Sequence, residues 1–359
     1  VSGLSVPNGF SIEKIASLTG PRELAFAPNG DLFVGTGGSS VYMIQSAEGQ
    51  PSYAHIFTTV PDSPAAGIAF SMQTCALYVG TQFGVYRVAY TTGEQMAQSN
   101  PVRIASVRPA RGGGHATTSI AISGNTLYAS VGSSCDACAE SDPTRAAIHQ
   151  MALDGTGMTK RANRIRNAIA LTINPATSTL WAGNAGQDSL PAGHPYELFD
   201  GVTLHSGVAD YGWPDCEENQ HAYRSGATCS GTVIPAVEFP AYSTAIGAAF
   251  YPVDPSGTSA FPSQYRGGAF VSLHGSWHVI NGCNVAPLVA FVPMNGDTPR
   301  TPVNWSDPHA QWTPFVNGFQ PGCNAGSRIG RPVGIAVGPQ GDLFVADDFS
   351  GAVYRIRPR

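Results

Sequence analysis

Among the residues of this sequence that can do chemistry, His115 stands in the most telling place. It ends a run of three glycines, Gly112 to Gly114, inside the stretch Arg111–Cys138. Glycine has no Cβ to hold a ligand away from the backbone, so a side chain delivered this way can stand close to a bound molecule. A histidine there can be neutral near physiological pH and take a proton from a hydroxyl. Taken alone, it reads as well as a hydrogen-bonded histidine in a surface turn. The case for chemistry rests on what accompanies it.

Four further clusters carry functional groups. Pro21-Arg22-Glu23 and Ile165-Arg166-Asn167 each open an apolar strand pattern, His274-Gly275-Ser276-Trp277 closes one, and Arg328-Ile329-Gly330-Arg331 precedes the last. If the fold gathers these positions, several arginines converge on a small polyanion through charge-assisted hydrogen bonds. Asn184-Ala185-Gly186-Gln187-Asp188 offers carbonyls and carboxamides of the kind that bind Ca²⁺, although no EF-hand loop is present. Tyr211 and Trp213, near Cys216, supply either a wall on which a sugar stacks or the filling of a loop.

Composition narrows the classes. Charged residues are 12% of the 359, with 42 glycines and 28 prolines, so turns abound and charged helical faces are scarce. No apolar run approaches the length of a membrane-spanning helix, and a net charge of -5 leaves no basic footprint for nucleic acid. Lysine occurs only as Lys14 and Lys160, so the cationic side chains are arginines, which fork onto carboxylates. Seven cysteines are expected to pair as Cys135–Cys138, Cys216–Cys229 and Cys283–Cys323, with Cys75 a buried thiol in a strand. Such pairing implies an oxidising compartment, in keeping with the sequon Asn304-Trp305-Ser306. A secreted protein is expected.

The elements that must position these residues follow a repeat. A Gly or Asn turn leads into an alternating apolar strand at Leu32–Val34, Leu77–Val79, Leu127–Ala129, Leu180–Ala182, Ala269–Val271 and Leu343–Val345. Six copies at intervals of about 45 residues or more predict an all-β, six-bladed β-propeller. Strands of one plan precede them at Arg22–Pro28, Ile169–Ile173 and Pro332–Gly338, as inner strands whose starts face the central channel. Gly9–Ile15 is expected to pair into the last blade and close the ring, which removes an exposed sheet edge. The intervals Asn184–Pro262 and Asn281–Gly330 are read as disulfide-pinned loops roofing one face. No linker divides the chain, so residues 1–359 are expected to form one catalytic domain.

Taken in order, the blocks GGGHATTSIAISGNTLYASVGSS, ESDPTRAAIHQMALDG, RIRNAIALTINP, DYGWP, YRGGAFVSLHGSW and GRPVGIAVGPQGDLFVADD resemble the soluble sugar dehydrogenases that use pyrroloquinoline quinone (PQQ). The likeness is greatest to the sorbosone dehydrogenase-like branch with its fungal pyranose dehydrogenases. It implies PQQ and Ca²⁺ as cofactors and a pyranose oxidised at its anomeric hydroxyl to a lactone. His115 then matches the base that removes the hydroxyl proton as hydride moves to C5 of the quinone. Arg166 and Asn167 match residues beside the quinone oxygens, and Gly186 and Gln187 the carbonyls that hold calcium. His274 and Trp277 match the block where bacterial glucose enzymes carry a lysine on a cofactor carboxylate. Arg331 matches a later carboxylate contact, Arg22 is a further one, and Ser243 and Thr244 fall in the loop before His274. Gly114 replaces an acidic residue and the lysine is missing, so glucose is not the expected sugar. L-fucose, rare hexoses or 2-keto sugars are. The electrons would pass to a cytochrome b domain, a copper oxygenase or a quinone. A monomer is expected.

Two other classes compete. A calcium-dependent lactone hydrolase on a similar ring would want carboxylates and asparagines in the channel, where this sequence offers arginine and histidine. A non-catalytic sugar-binding propeller would not need Arg22, Arg166 and Arg331 near one point. Fold likeness alone does not choose between them.

Overall fold

The computed structural model describes residues 1–108, 113–189 and 196–359; Arg111 and Gly112, at the head of the His115 stretch, lie outside them. Six antiparallel sheets of four blade strands succeed one another along the chain. The repeated apolar segments are their second strands, among them Leu32–Thr36, Ala76–Gly80, Thr126–Val131 and Leu343–Asp347, nearly all buried on both faces. The innermost strands are Pro21–Phe26, Gly67–Ser71, Ile120–Ser123, Ala170–Ile173, Ala245–Phe250 and Pro332–Val337. Each packs on the next, and the last returns to the first. This is the expected six-bladed propeller, and its channel, about 370 Å³, is walled by residues from all six inner strands.

Ring closure follows the expected route. Phe10–Ser17 pairs antiparallel with Ala352–Pro358, setting Phe10 opposite Pro358 and Ile12 opposite Ile356. Phe10 is the apolar anchor of that strand. Its ring meets Phe261, Phe315 and Tyr265 edge-on at 4.7, 5.2 and 5.4 Å. Burying one such ring contributes about 2–3 kcal/mol, which ties the start of the chain to the fifth and sixth blades.

Two expectations need correction. The long intervals are not wholly loops: Tyr196–Gly201 and Val237–Pro240 complete the fourth blade, and Leu288–Val292 and Thr313–Val316 the fifth. Short strand lengths with prolines between them hid these from a pattern search. The three disulfides pair as expected, with Cys216–Cys229 pinning the excursion inside the fourth blade and Cys283–Cys323 joining two excursions of the fifth. Cys75 is exposed rather than buried. It sits at φ 46° in the turn before its strand, which swings the thiol out of the sheet.

Candidate functional site

His115 is placed by two glycines that no other residue could replace. Gly114 lies at φ +62°, and a Cβ there would meet the Ser134 carbonyl group at 2.5 Å. A Cβ on Gly132 would meet Asn167 Oδ1 at 2.4 Å and His115 Cβ at 2.6 Å. The half-buried imidazole is then fixed from one side. Its Nδ1 lies 2.9 Å from the Ser133 carbonyl oxygen and 3.0 Å from Ser133 Oγ. The carbonyl can only accept, and the Ser133 hydroxyl spends its proton on the Cys135 carbonyl at 2.7 Å. Nδ1 therefore carries the ring proton, and Nε2 keeps its lone pair for the site. Burial, then the charge of Arg166, holds the His115 pKa down to about 4, so the ring is neutral and able to accept a proton.

The Arg166 guanidinium, 5% exposed, is held at every edge. Nε donates to the Asp136 carbonyl and Nη2 to Asp136 Oδ1, both at 2.8 Å, while Nη1 reaches the Ala185 and Gly186 carbonyls at 3.1 and 2.8 Å. Asn167 donates its N–H to Asn184 Oδ1 at 2.8 Å, and its carbonyl accepts from the Ala185 N–H at 2.9 Å. Four expected residues, Arg166, Asn167, Gly186 and Gln187, thus come together beside His115. Gln187 is buried with Oε1 lacking any partner. An orphaned carboxamide oxygen beside two carbonyls suits a hard cation, and each carbonyl keeps a second lone pair. Glu197 lies behind this loop, close enough that a Cβ on Gly186 would stand 3.5 Å from its Cγ. Burial pushes the Glu197 carboxyl up to about 8, and it accepts the Thr244 N–H. The Cys135 and Cys138 sulfurs near Glu140 offer no thiolate, since they form a disulfide.

A second group forms where the first, fifth and sixth blades meet. His274 Nε2 lies 3.0 Å from Asp348 Oδ1, and Arg22 Nη1 lies 2.9 Å from the other Asp348 oxygen. Arg331 donates to the His274 and Gly275 carbonyls at 3.0 and 2.8 Å. The backbone of His274 and Gly275 is carried by the Thr244 and Ser243 carbonyls, so these two loop residues position the block through main chain. Burial holds His274 at about 4 against the pull of Asp348. Burial alone would raise Asp348, but the His274 bond and the charges of Arg22 and Arg331 bring it below the usual carboxylate range.

Three expected residues are placed differently. Trp277 does not join this group; it is 68% exposed and lies over His278 with centroids 3.9 Å apart. His278 stacks in turn on Tyr242 at 3.6 Å and contacts the Asp188 carbonyl through Nε2 at 2.6 Å. Tyr211 and Trp213 form no stacking wall, because each is 2% exposed. The Tyr211 hydroxyl donates to buried Asp200 at 2.7 Å, so these rings fill the interior under the roof.

Several participants escaped the sequence reading: Ser133, Asp136, Arg145, His278, Tyr242 and Asp348. A weak signal existed for two. Asp136 lies between the cysteines of the CxxC, and Asp348 ends the last repeat where no structural strand needs a carboxylate.

The ring has counterparts of known structure. The Trichoderma reesei Carbohydrate-Active Enzymes Family AA12 protein, in its calcium structure, superposes with TM-score 0.81 at 18% identity over 99% of this chain and 97% of that one. The holo form of the pyranose dehydrogenase PQQ domain from Coprinopsis cinerea gives 0.80 at 18% identity with the same coverage. The PQQ-bound aldose sugar dehydrogenase from Streptomyces coelicolor gives 0.67 at 17% over 99% of this chain and all of that one. The fold is therefore that of the PQQ sugar dehydrogenases. The chain belongs to the TrAA12-like family, whose model matches residues 4–216 and 215–359.

Proposed function

We propose that this chain is a PQQ- and Ca²⁺-dependent dehydrogenase that oxidises the anomeric hydroxyl of a pyranose to a lactone. The observation that carries the proposal is His115: a neutral imidazole whose Nε2 forms no hydrogen bond among the described residues, standing beside Arg166, Asn167 and the oxygen-rich 185–187 loop. PQQ, when bound, supplies an ortho-quinone that accepts the hydride, and Ca²⁺ makes it more electrophilic. The chain's residues do the rest. The 186–187 segment and the Gln187 carboxamide hold the cation. Arg166 and Asn167 would hold the quinone edge, and Arg22, Arg331 and His274 would bind its carboxylates.

His115 takes the hydroxyl proton on Nε2, and the Ser133 carbonyl stabilises the imidazolium through Nδ1–H. Exposed Trp277, braced by His278 and Tyr242, offers an apolar face on which a sugar ring can lie at the mouth. L-fucose, rare hexoses and 2-keto sugars are the proposed substrates, and a cytochrome b domain, a copper oxygenase or a quinone the electron acceptor. Three disulfides support a secreted protein, and a single monomeric catalytic domain spanning 1–359 is part of the proposal. Among the described residues no helix is long and apolar enough to cross a membrane.

The test is titration of metal-depleted protein with PQQ, with and without Ca²⁺, followed by visible absorbance and calorimetry. Calcium-dependent one-to-one binding is expected. Absence of binding overturns the proposal and leaves lactone hydrolysis as the activity to assay.

A further inference from the structure

Arg108 and Arg145 are 4% and 5% exposed, and neither forms an ion pair among the described residues. A buried guanidinium without a carboxylate is costly, so two of them around one loop call for a reason. Arg145 spends its donors on backbone oxygens, and Arg108 on backbone oxygens and one hydroxyl. Arg108 Nη1 reaches the His115 carbonyl at 2.7 Å, and Nη2 reaches Thr118 Oγ1 at 3.2 Å. Arg145 Nη2 reaches the same His115 carbonyl at 3.0 Å and the Ser133 carbonyl at 2.9 Å, while Nε takes the Gly132 carbonyl at 2.9 Å. The Ser133 oxygen so gripped is the one that fixes His115 Nδ1.

We propose that Arg108 and Arg145 are positioning residues for His115, both donating to its carbonyl and Arg145 anchoring the oxygen that sets its tautomer. The proposal rests on His115 being the base. The charged groups facing the ring are Arg166, Arg145 and Asp188. Arg166 carries Asp136 as a direct counterion, whereas among the described residues Arg145 forms no ion pair and feels Glu140 and Asp142 only at longer range. Arg145 lowers the proton affinity of the ring in addition to burial and Arg166. Arg108 acts through geometry. Together they keep the base available in an acidic medium, where an ordinary histidine would be protonated.

The experiment is ¹⁵N and ¹³C NMR of the histidine rings in the protein without added cofactor, with His115 assigned by its loss in His115→Gln. Wild type is expected to show the Nδ1–H tautomer alone and to remain unprotonated down to about pH 5. In Arg145→Gln the titration moves up toward the ordinary 6.5 and both tautomers are seen; Arg145→Lys, which keeps the charge, titrates low. With sugar and cofactor, the acid limb of kcat/KM for Arg145→Gln moves with the NMR titration, a several-fold loss at pH 5 with KM little changed.

Unaltered titration and tautomer in a folded Arg145→Gln would overturn the proposal. Should that variant not fold, wild type decides, since mixed tautomers or an ordinary titration there would equally overturn it. The NMR outcome stands whether or not PQQ binds, so failure here is distinct from failure of the dehydrogenase reading.

Discussion

Around His115 the buried charge is cationic, whereas beneath the neighbouring roof it is carboxylic. Arg108, Arg145 and Arg166 surround the imidazole with only Asp136 as a direct counterion. Within and over the fourth blade, Glu197, Glu217, Glu218 and Glu238 are all buried, and both oxygens of Glu217 and of Glu238 lack any hydrogen-bond partner. Burial raises Glu217 to about 8, and burial with neighbouring carboxylates holds Glu218 and Glu238 well above the ordinary carboxylate range. The same low-dielectric interior thus keeps a base unprotonated on one side and acids protonated on the other. Burial comes first on both sides and disfavours the charged form of each group; neighbouring charges add to it, Arg166 beside His115 and other carboxylates beside Glu218 and Glu238.

The largest expected effect breaks the cationic side. His115→Ala should lower kcat by about 10²–10⁴-fold with PQQ and Ca²⁺ binding retained; near-normal turnover would remove His115 as the base. Next comes the opposed pH response of the two regions. His115 has a folded value of about 4 against an ordinary 6.5, so its contribution to stability is lost as pH falls through that window. Glu217, at about 8 against 4.5, binds a proton in the folded state that the unfolded chain has released, so stability falls as pH rises from 4.5 to 8. In chelator, Glu217→Gln/Glu238→Gln should therefore gain roughly 2–3 kcal/mol at pH 8 over wild type and little at pH 4.5. Parallel Tm-against-pH curves for variant and wild type would contradict that.

A smaller effect belongs to the mouth. Trp277→Ala should raise KM about fivefold, the worth of roughly 1 kcal/mol of ring contact, with kcat kept. A fall in kcat with unchanged KM would place Trp277 elsewhere in the reaction. The smallest is Cys75→Ser, within about 0.5 kcal/mol of wild type by thermal unfolding, because the thiol is exposed in a turn.

Much of this was legible in the chain. The six apolar strands announce themselves because a strand buried on both faces must be nearly all apolar, as Ala76–Gly80 and Ala269–Leu273 are. His115, Arg166, Asn167 and Gly186 were legible because glycine runs and strand starts mark where backbone approaches the channel. Tyr211 and Trp213 were not. An aromatic residue in a loop has the same spelling whether it faces solvent or fills the loop, and only packing against Asp200 settles that. Of the outer strands of the fourth and fifth blades, Val237–Pro240 and Thr313–Val316 are four residues long and carry too few alternations to show a period.

The sequence by itself determined the ring and its closure through the opening strand, Phe10–Ser17. Repetition and periodicity are local properties, and burial on both faces writes them residue by residue. Only the tertiary structure decided which charges are paired. Asp136 neutralises Arg166 from 30 positions away, Asp348 joins Arg22 to His274, and Arg145 forms no ion pair among the described residues. Proton affinity depends on distance and burial in three dimensions, and the chain order that brings these groups together does not record either.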